Sequence, residues 1–122
     1  FSLDKNQIIQ ALINIIKNAI QATNNKGTIT IKTRAILKFT IGQKKHDLVA
    51  KIDVVDNGKG IPESKLKEIF YPMVTSKPDG MGLGLTIAQS IITQNHGLIE
   101  CTSSKNHTTF SIILPWSTED DI

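Results

Sequence analysis

The apolar residues of this chain change their spacing along its length, and the segments that alternate come in adjacent pairs. Ile8, Ile9, Leu12, Ile13, Ile16, Ala19 and Ile20 recur at three- and four-residue intervals, the spacing of a helical face. Asp4 with Gln7 three residues on has the form of a capping box, so a helix is expected to run from there to about Ala22. After the turn Asn24-Asn25-Lys26-Gly27, Thr28 to Thr40 and Leu48 to Val55 alternate as strands, with polar Gly42 to Asp47 as the loop of a hairpin. Pro62 suits the first turn of a short helix reaching Phe70. Gly80, Gly82 and Gly84 then introduce a second long helix from about Leu83 to Asn95, which stops at His96-Gly97 and feeds two strands, Leu98 to Ser103 and Thr109 to Leu114. A doubly wound nucleotide fold needs single strands alternating with crossover helices, and paired strands exclude it. The order predicts an α+β fold, a two-layer α/β sandwich with the helices on one face of a mixed sheet.

At 122 residues and 39% apolar content the chain fits one domain, residues 1–122. The net charge of +3 comes from 14 basic and 11 acidic residues without a run of five or six like charges, so no nucleic-acid partner is expected. No stretch approaches the roughly 18 apolar residues that span a bilayer and no signal pattern opens the chain, which predicts a cytoplasmic piece without membrane contact. Phe1 in place of methionine, with a helix cap at Asp4, suggests a fragment of a longer protein. The single cysteine, Cys101, lies in an alternating segment and reads as strand filler rather than a nucleophile.

Three features could carry chemistry. Asn14 and Asn18 stand one helical turn apart beside the apolar stripe; they face water as edge residues, or an amide oxygen binds a hard cation such as Mg²⁺. Asp56-Asn57-Gly58-Lys59-Gly60 ends a strand; it is ordinary turn chemistry, or the Asp56 carboxylate accepts from the exocyclic amine of a base while Gly58 and Gly60 admit a flat ring. The second reading favours adenine, because guanine puts an acceptor where adenine has its amine. Gly80-Met81-Gly82-Leu83-Gly84-Leu85 leads into a helix whose free N–H groups suit phosphates, although it is neither a P-loop nor a dinucleotide fingerprint. Lys77 is an ordinary surface lysine or reaches a terminal phosphate.

In order and spacing, Asn14-Ile15-Ile16-Lys17-Asn18-Ala19, Asp56 to Pro62, Ile69-Phe70-Tyr71-Pro72 and Gly80 to Leu85 resemble the N, G1, F and G2 boxes of sensor histidine kinases. Thr109 to Pro115 looks like the closing strand of their catalytic domain, and the segment Phe70 to Val74 is most like the nitrogen-regulation kinases of that family. The resemblance implies the Bergerat (GHKL) fold, the cofactors ATP and Mg²⁺, and transfer of the γ-phosphoryl group to a histidine. By that likeness Asn18 ligands Mg²⁺, Asn14 supports the phosphates, Lys77 assists transfer, and Asp56 holds adenine with Gly58, Gly60, Ile61, Phe70 and, through water, Thr109. Gly80, Met81, Gly82, Leu83, Gly84 and Leu85 wrap the phosphates. Related ATPases carry a glutamate at the position of Asn14, so hydrolysis is expected to be slow.

His46 in a loop, His96 at a helix end and His107 in a turn are expected to be structural surface residues, so the phosphoacceptor lies elsewhere. The implied partners are a dimerisation and histidine-phosphotransfer domain of the same kinase and a downstream response regulator, with a monomeric fragment and a homodimeric full-length protein. The other readings are a non-catalytic nucleotide- or partner-binding module and a serine kinase or ATPase with the same pocket.

Overall fold

Helix α1 (Lys5–Ala22) starts where the sequence places it: the Asp4 side chain accepts from the Gln7 backbone N–H at 3.1 Å, satisfying one of the first-turn donors. The structure, a computed structural model, describes residues 3–23, 26–58, 81–104 and 106–116. Within them follow strands β1 (Ile29–Ile41) and β2 (Lys44–Asp56), helix α2 (Met81–Gln94), and strands β3 (Leu98–Ser104) and β4 (His107–Pro115). The expected short helix ending at Phe70 lies outside the described residues.

The strand order is β1-β2-β4-β3 and each of the three pairings is antiparallel. The α+β class holds with this difference, that the sheet is not mixed among the described residues. Both hairpins close through two-residue connections, and β4 enters beside β2 running the opposite way. The first hairpin is tighter than its polar sequence suggests. Gly42, at φ +62°, and Gln43 make the whole turn, so Lys44 to Asp47, expected as loop, belong to β2. His46 is therefore a strand residue opposite Phe39 and is only 8% exposed, not the surface loop residue expected. Burial, with the charge of Lys44 and the neighbouring His96, lowers its pKa below the ordinary histidine value.

Register fixes which side chains face the helices. Val54 stands opposite Phe110 and Ile52 opposite Ile112, and Cys101 and Ile99 of β3 face the same two β4 residues. With Leu114, these residues meet Ala11, Ile15 and Ala19 of α1 and Leu85, Ala88, Ile91 and Ile92 of α2. Full burial of a side chain such as Phe110 or Ile15 is worth roughly 1.5–3 kcal/mol in removed apolar surface, so this layer carries the fold. Beyond Ile29, which packs against the core, the helices leave β1 open: Ile31 and Leu37 share the helix-side register yet are 51% and 72% exposed. Lys38 in this outer strand adopts φ 56° and has no Cα partner in the ladder.

Helix α2 ends in a Schellman turn: Gly97 N–H donates to Ile92 C=O at 2.8 Å and His96 N–H to Thr93 C=O at 3.0 Å. His96 takes the left-handed position at φ 65°. Gly97 is required for another reason, since a Cβ there would lie 2.6 Å from the Ile113 carbonyl oxygen.

Just before this turn, Asn95 joins the two helices. Its Oδ1 accepts from the Asp4 N–H at 2.9 Å, and its Nδ2 donates to Gln7 Oε1 at 3.2 Å and to Ile91 C=O at 2.8 Å. The carboxamide is 5% exposed, so its replacement strands partners in the interior. Asn95→Ala is expected to destabilise the chain by about 2 kcal/mol and to lower Tm by about 6–10 °C in a calorimetric scan.

Candidate functional site

Because Asn95, at the end of α2, meets Asp4 and Gln7, at the start of α1, the two packed helices run antiparallel. A 14-residue helix spans roughly 21 Å, so the first turn of α2 lies about level with Asn18 of α1. Helix α2 is described from Met81, so Gly82, which the sequence places before the helix, lies within it. Its N-terminal, positive dipole end thus lies toward the end of the molecule where α1 finishes. Leu85 is 6% exposed and packs in the core, which leaves it a supporting rather than a ligand-facing place.

The same end holds Asp56, the last residue of β2. Gly58 follows at a close approach to α1, for a Cβ on it would lie 2.5 Å from the Ala22 carbonyl oxygen. Asn14, Asn18 and Ala22 form one i, i+4 row along α1, so the row of half-buried asparagines leads directly to the Asp56–Gly58 turn. Asn57 ties that turn to the strand start: its Oδ1 accepts from Thr28 N–H at 2.8 Å, and its own N–H donates to Thr28 C=O at 3.3 Å.

Asp56 is 1% exposed. Its Oδ1 accepts from Gly58 N–H at 2.9 Å, whereas Oδ2 is buried with no hydrogen-bond partner among the described residues. A buried carboxylate oxygen without a donor costs on the order of 1–3 kcal/mol or more, and such an atom fits a ligand that brings a donor to it.

The strand register corrects one expected site residue. Thr109 pairs with Val55 and lies on the face of the sheet turned away from Asp56, because successive residues of a strand alternate. Thr108, opposite Asp56 and 3% exposed, is the hydroxyl on the Asp56 face. The inward parity of Phe110 and Ile112 in the sequence is the signal that identifies Thr108. Ser103 of β3 stands opposite Thr108 on the same face, with the two hydroxyl oxygens 2.8 Å apart.

The described residues thus bring Asn18, Asp56, Gly58, Thr108 and the start of α2 toward one end of the fold, with Asn14 one turn further back along α1. Gly60, Ile61, Phe70, Lys77 and Gly80 lie outside the described residues, and the side chains of Met81 and Leu83 do also.

Cys101 shares the Asp56 face one rung deeper, opposite Phe110. Burial and then the negative charge of Asp56 push its thiol up to about 12 from an ordinary 9.0. The fold thereby favours the protonated thiol, so this contribution to stability is complete below pH 9 and declines as the pH rises toward 12. Iodoacetamide at pH 8 is expected to label Cys101 at least about 100-fold more slowly than glutathione, and Cys101→Ala should lose less stability than the parent chain between pH 9 and 11.

The family described as histidine kinase-, DNA gyrase B-, and HSP90-like ATPase matches residues 3–118. The sensory histidine kinase/phosphatase NtrB of Klebsiella oxytoca is 48% identical over 113 residues, which are 92% of this chain and 32% of that protein. The Vibrio alginolyticus protein of the same description is 44% identical over 115 residues, 93% of this chain and 33% of the relative. The chain thus spans about a third of the length of the curated relatives it matches. Among solved structures, the catalytic domain of histidine kinase ThkA in a nucleotide-free form is similar with a TM-score of 0.78 and 32% identity, over 97% of this chain and 72% of that one.

Proposed function

The chain belongs to the histidine kinase-, DNA gyrase B- and HSP90-like ATPase family, as a histidine kinase catalytic domain, and we propose that it binds Mg-ATP and donates the γ-phosphoryl group to a histidine on a separate dimerisation domain. The observation that carries this reading is the buried Oδ2 of Asp56, without a hydrogen-bond partner among the described residues, on the same face as Thr108. A carboxylate oxygen there accepts one N–H of the adenine amine, and the Thr108 hydroxyl, directly or through water, supplies the donor that the adjoining ring nitrogen needs. Guanine presents a carbonyl to the carboxylate instead and leaves two acceptors facing each other.

For Asn14, Asn18, Gly82 and Gly84 the remaining roles are supported by position along α1 and at the start of α2, and for Gly80 and Lys77 by the family resemblance. Asn18, one turn before the Ala22–Gly58 contact, holds Mg²⁺ through its amide oxygen, a hard ligand of the kind that cation takes alongside phosphate oxygens. A Mg²⁺ ion held there would supply charge neutralisation at the phosphates. Asn14 continues the row and orients the phosphates, and the N–H groups opening α2 receive them, with Gly80, Gly82 and Gly84 keeping the approach free of side chains. Lys77 neutralises the terminal phosphate. An amide at position 14 cannot take a proton from water, so the chain holds the γ-phosphoryl group for an imidazole instead of hydrolysing it.

None of the described histidines is set on an amphipathic helix, which supports an acceptor on another domain. The likeness to relatives described as sensory histidine kinase/phosphatase NtrB supports a role in nitrogen-regulation two-component signalling; in this reading the intact protein is a homodimer and phosphate passes on to an aspartate of a response regulator.

Calorimetric titration of the chain is expected to show ATP bound in preference to GTP and binding weakened at least about 30-fold in Asp56→Asn, whose amide nitrogen puts a donor against the adenine amine. Equal affinity for both nucleotides in the two proteins would remove the adenine site from Asp56. In a transfer assay with labelled ATP, phosphate is expected on a supplied histidine-bearing dimerisation domain and not on this chain; robust self-labelling would contradict the assignment.

A further inference from the structure

We propose that the open corner between α1 and the outer strand β1 is a docking groove for an amphipathic helix of a partner, one whose apolar stripe is flanked by aspartate and glutamate. The wall of the corner is α1. Ile9, Ile13, Ile16 and Ile20 recur at i, i+4, i+7 and i+11, a single stripe along that helix. Ile9, Ile16 and Ile20 come two residues after Gln7, Asn14 and Asn18, which is about 200° round the helix. Gln7 bonds Asn95 at the end of α2, so the stripe lies on the flank of α1 turned away from α2. Because α1 packs on β2 and α2 on β3, in a sheet ordered β1-β2-β4-β3, that flank is the one toward β1. The floor of the corner is the helix-side row of β1, from Ile31 to Leu37.

Apolar side chains of both surfaces stand in solvent: Ile9 and Ile13 are 45% exposed, Ile20 39%, Ile31 51% and Leu37 72%. Single exposed apolar residues are ordinary, whereas a run of them along both sides of a corner is what the apolar face of a helix fills. The dimensions suit one. Strands lie about 4.8 Å apart and packed helices about 8–10 Å apart, so a helix laid beside α1 comes down on β1 and its edge. Ile9 to Ile20 covers roughly 17 Å of α1 and Ile31 to Leu37 roughly 20 Å of β1, three to four turns of a partner helix.

Charge selects the flanks of that helix. The charged residues of α1 and β1 are Lys5, Lys17, Lys32, Arg34 and Lys38, all basic, whereas the whole chain has 14 basic and 11 acidic residues. Lys5 and Lys17 border the stripe on α1, and the other three follow the outer strand. Asp53, the acid opposite Lys32, already accepts from the Ser111 hydroxyl at 2.6 Å and lies 3.9 Å from Lys51. Arg34 stands opposite another cation, Lys51, a pairing that an added anion relieves. An anionic membrane also attracts basic and apolar groups, but a flat surface meets the crest of α1 and leaves the floor at Ile31 and Leu37 unfilled.

The probe is a synthetic peptide of about 18 residues, long enough to hold a helix, with leucine at i, i+3, i+4 and i+7 spacing and glutamate on either side of the stripe. Fluorescence anisotropy is expected to show it binding the 122-residue chain, and the same leucine stripe flanked by lysine binding at least about 10-fold more weakly. Ile9→Glu and Leu37→Glu are each expected to weaken the glutamate peptide at least about 10-fold with the circular dichroism of the chain unchanged. Leu37 is the more exposed of the two, so its variant carries the test if Ile9→Glu does not fold. Absence of binding by the glutamate peptide overturns the proposal, as does equal binding of the two peptides or binding indifferent to both substitutions. Association with phosphatidylglycerol vesicles in place of the peptide gives the surface to a membrane instead, and a sedimenting dimer that Leu37→Glu dissolves gives it to a second copy; either result overturns the partner-helix reading.

Discussion

One buried carboxamide decides how the two long helices lie. Asn95 bonds the cap of α1, the Gln7 side chain and its own helix, and these contacts hold the end of α2 against the start of α1. The antiparallel pairing is what brings the beginning of α2 to the end of α1, some five turns away from the tie. Were the helices to pack with the opposite sense, the N–H groups opening α2 and the Asp56 turn would sit at opposite ends of the domain. The site is thus held from a distance by a contact that includes none of its residues.

At the site end the constraint is steric. The Gly58 backbone presses against the Ala22 carbonyl, and the adjacent Asn57 side chain bonds Thr28, so Asp56 is fixed from both sides of its turn. Among the described residues the Asp56 carboxylate keeps an oxygen without a partner in the interior, beside a layer that is mainly apolar. Such a local departure from good packing, surrounded by residues that obey it, is characteristic of a place shaped for a ligand.

Much of this was legible in residues close together in sequence. Asp4 and Gln7 announce the cap because capping is a three-residue interaction, and the apolar period of Ile8 to Ile20 gives α1 its length. The α+β class follows from strands arriving in pairs. What involved distant partners was not readable: Asn95 looks like an ordinary helix-end residue until Asp4 is placed beside it, 91 positions away. Composition misled at Lys44 to Asp47, where charge suggested a loop but Gly42 and Gln43 sufficed for the turn and His46 was drawn into the fold. Thr108 and Thr109 are equivalent in type, and only the parity of the apolar β4 residues assigns one of them to the Asp56 face.

The outer strand has a bearing on how copies of this domain behave when crowded. Strand β1 is 13 residues long, unpaired on one side among the described residues, and shows Ile31 and Leu37 to solvent, a combination that invites a second molecule to add its own strand. The left-handed backbone at Lys38 breaks the run of amides in step, so no straight template of full length is on offer. Lys32 and Arg34 put positive charge along the same strand, and two such edges repel one another on approach. The rung given up at Lys38 therefore acts as a guard against aggregation, a safeguard that a chain with a regular β1 and neutral side chains in those places would lack.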